Sequence, residues 1–523
     1  MNKITFLFVT ALIFIFQIAF SQGGMLYDTF ASGGKLYLDF GTYESEITSV
    51  ITQPDKKIIA AGVFHNHGTY QKYFIIRYNV DGSVNSTFGV EGMVVNPFDE
   101  RPRINSLLLQ PDGKILAMGT IYSDGAEYSK SFLVRYNPNG TLDENFGNQG
   151  FVINDASVIN AFSLQSDGGV IVATDRIPFT LNQCQLMRYK SDGSIDSNFG
   201  VDGTVDITID SQGVSVKAIV VLPDGKILVG GAFGDSQNRN VAVLRYANDG
   251  AIDSTFGTAG VKIIDLEPVD EVTAMKVQTN GNIVISLSSY YIDEGMYVFN
   301  HQLACLMAEG DYDLNFGNNG IAKLLAPCAA MELQANGKII VAGSYDSGIY
   351  ANPVVIGLSR YQSNGLADPD FGDNGLVSTS AGNNTRGAAT SVAIQMDGKI
   401  VVGATFSEAY LSSHPHTLVL RYGSGETLTD GSNLSFQKSN FIVYPNPVKE
   451  ILNLDFYLDQ PAVLSANLYN AAGKKVVNLL ENKAFNNGFG TQQFQVSEHL
   501  SQGVYFLKIT NGNQVKNIRM LKR

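Results

Sequence analysis

Tryptophan is absent from this chain of 523 residues, and only three cysteines and fifteen prolines occur in it. Three cysteines permit at most one bridge, which excludes a disulfide-stapled scaffold. Charged residues make up only 16% against 44% hydrophobic ones, so the chain is not a disordered acidic tail. Lys+Arg number 36 against 49 Asp+Glu, a net −13, and the basic footprint of sequence-independent nucleic-acid binding is lacking. Phosphate-binding glycine loops, His-Glu-x-x-His, Gly-x-Ser-x-Gly and the carboxylate spacing of an EF-hand are missing too. No segment carries a sustained helical period with caps. After the first twenty residues no apolar run is long enough to span a bilayer.

Residues 1–21 carry a positive start (Lys3), an apolar run from Ile4 to Phe20 and a small residue at Ser21. They read as a secretory signal peptide, with cleavage expected near Ser21/Gln22. The alternative, a membrane anchor, lacks a basic stop-transfer cluster.

What the chain has in abundance is glycine, 53 residues, and self-similarity. The phrase Leu-Asp-x-x-Phe-Gly-x-x-Gly recurs with its Phe at 30, 88, 146, 199, 256, 316 and 371. A second, Gln-Pro-Asp-Gly-Lys-Ile, recurs at Asp55, Asp112, Asp167, Asp224, Asn280, Asn336 and Asp397. A third, Arg-Tyr, stands at Arg77, Arg135, Arg188, Arg245, Arg360 and Arg421, with Cys305-Leu306 in its place in the fifth unit. Each unit of about 57 residues holds apolar runs flanking an Asp-Gly pair, read as a type I′ hairpin turn, and segments alternating at the strand period. Four short strands per unit suit one propeller blade. The expected fold class is all-β: a seven-bladed β-propeller over residues 23–425, then a small C-terminal Ig-like β-sandwich. Met25–Phe30 matches the phrase that is due after Arg421-Tyr422, so the N-terminal strand is expected to complete the last blade and hide both edges. These phrases resemble the delta-60 repeat family, which implies a propeller shape and little chemistry.

A polar linker, residues 426–436, precedes a module that changes charge sign. Residues 437–523 carry ten Lys/Arg and five Asp/Glu, and with Lys3 set aside the remainder holds −19. Tyr444-Pro445-Asn446-Pro447, Leu468-Tyr469-Asn470-Ala471-Ala472-Gly473-Lys474, Gly503-Val504-Tyr505 and the terminal run Lys516 to Arg523 closely resemble the type A sorting domain of the type IX secretion system. That resemblance implies export across the outer membrane, contact with the secretion machinery, removal of the domain by a sortase-like protease, and release or attachment to a surface glycolipid. The bland alternative is an Ig-like adhesive domain.

No catalytic residue is nominated. Asp143, Asp196, Asp253 and Asp368 recur with the blades, and general acid–base work needs distinct environments, not copies. In the hairpin that follows Arg-Tyr the first residue faces the ninth. Arg135–Asp143, Arg188–Asp196, Arg245–Asp253 and Arg360–Asp368 are therefore expected as structural ion pairs, and Cys305 leaves Asp313 without an arginine. Free buried cysteine is the default for Cys184, Cys305 and Cys328, with a Cys305–Cys328 bridge as the alternative in an oxidising compartment.

The segments joining the Lys-Ile strand to the Arg-Tyr strand hold ten of 24 tyrosines and five of six histidines. In antiparallel blades they emerge on one face. Tyr70, Tyr73, Tyr122, Tyr128, Tyr290, Tyr291, Tyr297, Tyr345, Tyr350 and Tyr410 are thus the expected binding face for a glycan or protein ligand, unless they merely cover blade edges. His65, His67, His414 and His416 are candidate metal ligands, although exposed loop histidines are the ordinary reading. No cofactor is implied. The expected function is a secreted or cell-surface binding protein. The alternatives are a propeller polysaccharide hydrolase or lyase, and a structural surface-layer protein.

Overall fold

The computed structural model describes residues 23–425 and 441–522 apart from short stretches at 67–69, 97–99, 123–129, 156, 177–183, 236, 347–353, 383–384, 409–414, 445–447, 449–450, 459–460, 471–472, 487, 497–499 and 512–513. The signal and linker calls lie outside the described residues. Among those described there is no helix, and every unit yields an antiparallel sheet. The first unit is typical, with strands Glu44–Thr52, Ile58–Asn66, Tyr70–Tyr78 and Met93–Val95 in that order. Its second strand, Ile-Ile-Ala-Ala-Gly-Val, is buried throughout because neighbouring sheets cover both its faces.

The Asp-Gly turn differs from the type I′ form read in the sequence. In the second unit's Asp-Gly turn only Gly113 has a positive φ, 81°, while Asp112 does not. Gln110 N–H donates to Lys114 O at 2.8 Å, and Gly113 N–H to Gln110 O at 2.9 Å. Pro111 favours a type I turn, and the glycine after it forms a left-handed bulge. Lys56 occupies that position in the first unit at φ 66°, which a glycine would take with less strain.

The Phe-Gly phrase links the units. Phe88, Phe146, Phe199, Phe256, Phe316, Phe371 and Phe30 are all buried. The amide after each points at the next unit's turn: Gly147 N–H to Asp192 O at 2.7 Å, Gly200 N–H to Asp249 O at 2.8 Å. The same bond joins the two ends of the array. Gly372 N–H reaches Gly23 O at 2.9 Å, and Ala31 N–H reaches Asp81 O at 2.8 Å.

The last repeat sheet is composite. Strands Thr385–Ile394, Ile400–Glu408 and His416–Tyr422 come from the seventh unit, and Lys35–Leu38 completes them, with Lys35 opposite Leu420 and Leu38 opposite Thr417. Pairing within the expected stretch 25–30 is confined to Met25–Tyr27, where Tyr27 N–H donates to Arg421 O and Gly423 N–H to Met25 O, each at 2.8 Å. The longer ladder comes from Lys35–Leu38. Glu44–Thr52 of the first unit then packs on this sheet, and Val50 N–H donates to Ser391 Oγ at 3.0 Å.

The C-terminal module has its own core. Sheets Phe441–Tyr444/Ile451–Leu458/Gly488–Gln495 and Lys475–Phe485/Ala462–Asn470/Gly503–Asn511/Gln514–Lys522 enclose Leu452, Leu454, Leu464, Leu468, Leu507 and Ile509.

Candidate binding face and the clamps beneath it

The three repeated phrases meet at one carboxylate. Asp143 Oδ2 accepts from Arg135 Nε at 2.7 Å, and Lys114 Nζ lies 3.0 Å from the same oxygen. Arg245 and Lys226 take Asp253 at 2.7 and 2.9 Å; Arg360 and Lys338 take Asp368 at 2.6 and 2.8 Å. Arg188 Nη2 lies 2.8 Å from Asp196, where Gly169 stands in place of the lysine. Each guanidinium also covers its unit's Phe ring at 4.5–4.9 Å. Its Nη1 donates to a carbonyl in the next unit's turn: Pro138, Ser191, Asn248, Ala308, and Val80 for Arg421. In the sixth unit Arg360 reaches Ser424 O instead. Each arginine is a clamp between units, which explains why the phrases repeat without invoking catalysis.

The fifth unit drops the clamp. Cys305 replaces the arginine and Asn282 the lysine, and Asn282 Nδ2 donates to Asp313 Oδ2 at 2.8 Å. Cys184, Cys305 and Cys328 are free and buried. Burial pushes the Cys305 thiol up to about 12, so it is no nucleophile at neutral pH.

The clamps make acid stability predictable. Burial alone would raise the Asp143 and Asp368 carboxyls, but bonds from Lys114 and Arg135, and from Lys338 with the charge of Arg360, hold both below the usual range. The Thr255 hydroxyl and Lys226 hold Asp253 well below it. A depressed folded-state value stabilises above the unfolded value of about 3.9 and loses that stabilisation as pH falls through the folded one. The melting temperature should therefore hold from pH 7 to 5 and fall steeply below about pH 4. A thermal scan with no acid step in that window would contradict the clamps.

The opposite ends of the strands bear the tyrosines. Tyr73 is fully buried, with Oη 2.6 Å from Tyr136 Oη, and belongs to the core rather than to a binding face. Tyr122 is exposed, and Tyr345 is half-buried. The side chain of Tyr70 and all of Tyr128, Tyr350, Tyr410, His67 and His414 lie outside the described residues. His65 Nδ1 sits 3.4 Å from Glu44 Oε2, and the His416 ring is 5.6 Å from Phe406. Among the described residues no group of three or more His, Cys, Asp or Glu could hold a metal ion.

Tyr290, Tyr291 and Tyr297 share the hairpin Ile283–Asp293/Met296–Leu306, two strands of eleven residues. Its register sets Tyr290 opposite Phe299 and Ile292 opposite Tyr297, so these four side chains occupy one face. The Tyr290 ring lies 5.5 Å from Tyr297 and 5.7 Å from Phe299, and Phe299 stacks at 6.4 Å on His301. Ile292 and Tyr297 are 63% exposed and Phe299 58%. Singly, exposed apolar residues mean little; a contiguous ladder of them marks an interaction surface. Phe299, Ile292 and His301 were missed by tyrosine counting, although their alternation at period two was readable. The first strands of the units also enclose a cavity of about 970 Å³, lined by Ser49, Asn105, Asn160, Lys217 and the 2.7 Å Lys276–Glu332 pair.

Comparison with family models finds matches in the repeat region and in the C-terminal module. Residues 53–88, 110–146, 165–199, 222–256 and 334–371 match "Domain of unknown function (DUF5122) beta-propeller". Residues 442–523 match "Secretion system C-terminal sorting domain". The chain carries a β-propeller repeat region and a type IX C-terminal sorting domain. The sorting domain indicates export to the cell surface or secretion. No curated protein matches the chain.

Among solved structures the chain is similar to PorZ, a surface component of the type-IX secretion system of Porphyromonas gingivalis, at 11% identity and TM-score 0.29, covering 92% of this chain and 70% of that one. It is also similar to polysaccharide lyase Uly1, at 11% identity and TM-score 0.44, covering 75% and 94%. A third is a calcium-binding regucalcin of Agrobacterium tumefaciens, at 11% identity and TM-score 0.30, covering 76% and 96%. Likenesses this distant carry no argument about the propeller's activity. The site has to be read from its own residues.

Proposed function

We propose that the chain is a closed seven-bladed β-propeller, carried to the outside by a C-terminal Ig-like β-sandwich, that binds a glycan or protein at the bacterial surface or in the medium. The mature protein begins near Gln22, residues 426–436 link propeller to sorting domain, and a sortase of the type IX machinery removes the latter. Seven units of strands in succession, those of the fourth and fifth joined into one sheet and the last packed on the first, support the blade count. The observation that carries the binding reading is the ladder of exposed Ile292, Tyr297 and Phe299 with half-buried Tyr290. It stands in the one unit that has lost its Arg-Tyr clamp, where the repeat symmetry is broken. Function is expected at such departures from local rule.

Tyr297→Ser with Phe299→Ser tests it. Both rings are largely exposed, so the melting temperature of the secreted chain should move little. Retention of ligand on a glycan array or on whole cells should fall at least about tenfold, as for removal of an aromatic anchor. Binding that survives the double substitution would refute the assignment of this face.

A further inference from the structure

The junction of the third and fourth units carries a second departure from the repeat, at the end of the strands that bears the hairpin. Strand Thr204–Ile209 of the third sheet turns back through Asp210 and Ser211, at φ 49° and 67°, into the added strand Gln212–Gly213. Two adjacent non-glycine residues in the left-handed region are strained, and such strain gathers where a loop is held for a task. The turn brings Gln212 to a cavity of about 460 Å³ whose other walls are Phe233, Gly234, Asp235, Asn238 and Asn240. That size lies within the range of about 300–1,000 Å³ usual for small-ligand sites.

The lining has a definite chemistry: one half-buried ring, three amides, one carboxylate and no cation. Phe233 and Asn240 are cross-strand partners, so ring and amide stand side by side on one face. Asn240 Oδ1 is shut off from solvent and has no hydrogen-bond partner. A buried acceptor without a donor is costly, and turning the Asn240 amide toward a ligand hydroxyl in the cavity would relieve it. Asp235 Oδ1 is already engaged by the N–H groups of Gln237 and Asn238, both at 2.8 Å, which fixes the loop. Amides donate and accept together, matching adjacent hydroxyl groups, and an aromatic face suits the C–H face of a pyranose. The −19 carried outside the sorting module repels polyanions.

We propose that this cavity is a subsite for one residue of a neutral sugar, with the Asn240 amide turning into the cavity to accept a hydroxyl, Gln212 and Asn238 bonding its neighbours and Phe233 packing on the ring. This rests on the binding reading above and names its ligand class. The subsite is tied to the aromatic hairpin. Arg239, between the two asparagines, donates its N–H to Pro268 O at 2.8 Å and its Nη1 to Glu271 Oε1 at 3.0 Å, and Glu267 Oε1 accepts from Asn300 Nδ2 of the hairpin at 3.0 Å. Strands of the fourth and fifth units join there into one sheet.

The test is calorimetry of the full secreted chain against neutral mono- to hexasaccharides chosen from an array that also displays uronic and sulfated glycans. Neutral oligosaccharides should bind. Asn240→Leu, which removes an unpaired acceptor and so keeps the fold, and Gln212→Ala at an exposed position should each weaken binding about tenfold, as for the loss of one or two hydrogen bonds. Tyr297→Ser with Phe299→Ser, on the opposite face of the joined sheet, should leave monosaccharide binding in the cavity unchanged. Unchanged affinity in both cavity variants, or a preference for anionic glycans, overturns the subsite. If no neutral sugar binds but another ligand is held through the hairpin, this proposal falls and the binding reading stands. If nothing binds through either, both fall.

Discussion

Replacing Arg360 with alanine should destabilise the repeat region by about 3–5 kcal/mol, the cost of breaking a buried ion pair by removing one partner. Arg360 and Asp368 are each only 1% exposed, so the orphaned carboxylate cannot turn to water. Lys338 remains 2.8 Å from that carboxylate, which places the loss toward the lower end. The substitution also strips the cation from the Phe371 face and the bond to Ser424 O, where the last repeat unit ends. Arg188→Ala is the control. Its pair with Asp196 is more open to water, and its loss should cost about 1.5–3 kcal/mol, as for a charged hydrogen bond. Urea unfolding of the two variants beside wild type measures the difference. Equal losses would mean that burial does not set the strength of these clamps.

Removal of residues 442–523 should have the largest effect on the living cell. The sorting domain encloses its own core, so truncation leaves the repeat sheets intact while deleting the export address. Extracellular protein should fall to background, and folded propeller with an unchanged melting temperature should accumulate in the periplasm. Normal extracellular levels after truncation would contradict the sorting role.

Fold class and address were legible because both are written redundantly. Three phrases recur in a fixed order, and the terminal module carries several motifs at once. Spacing set Arg135 across from Asp143, but nothing in spacing brought in Lys114, which arrives from the preceding strand of the same sheet. Nor did it show that the arginine's other nitrogens clamp the next unit, since that contact depends on how sheets pack. The turn type was misread because Asp-Gly alone does not report loop length; Pro111 before it does. On the face, counting tyrosines by segment could not separate Tyr73, which points into the core, from Tyr297, which points out. Burial follows strand register, and only the register of Ile283–Asp293 against Met296–Leu306 assembles Tyr290, Ile292, Tyr297 and Phe299. The Gln212 cavity left no repeat signal, because it is made by a two-residue strand that has no counterpart among the described residues of the other units.

The central claim is that the repeated residues build the ring while the departures in the third, fourth and fifth units hold the ligand. Hydrogen exchange of the secreted chain with and without a bound neutral oligosaccharide tests this most directly. The account predicts added protection in residues 233–240 and 288–301 and none in the Arg-Tyr and Phe-Gly turns, whose amides are already bonded. Protection confined to those turns, or spread equally over every unit, would contradict it.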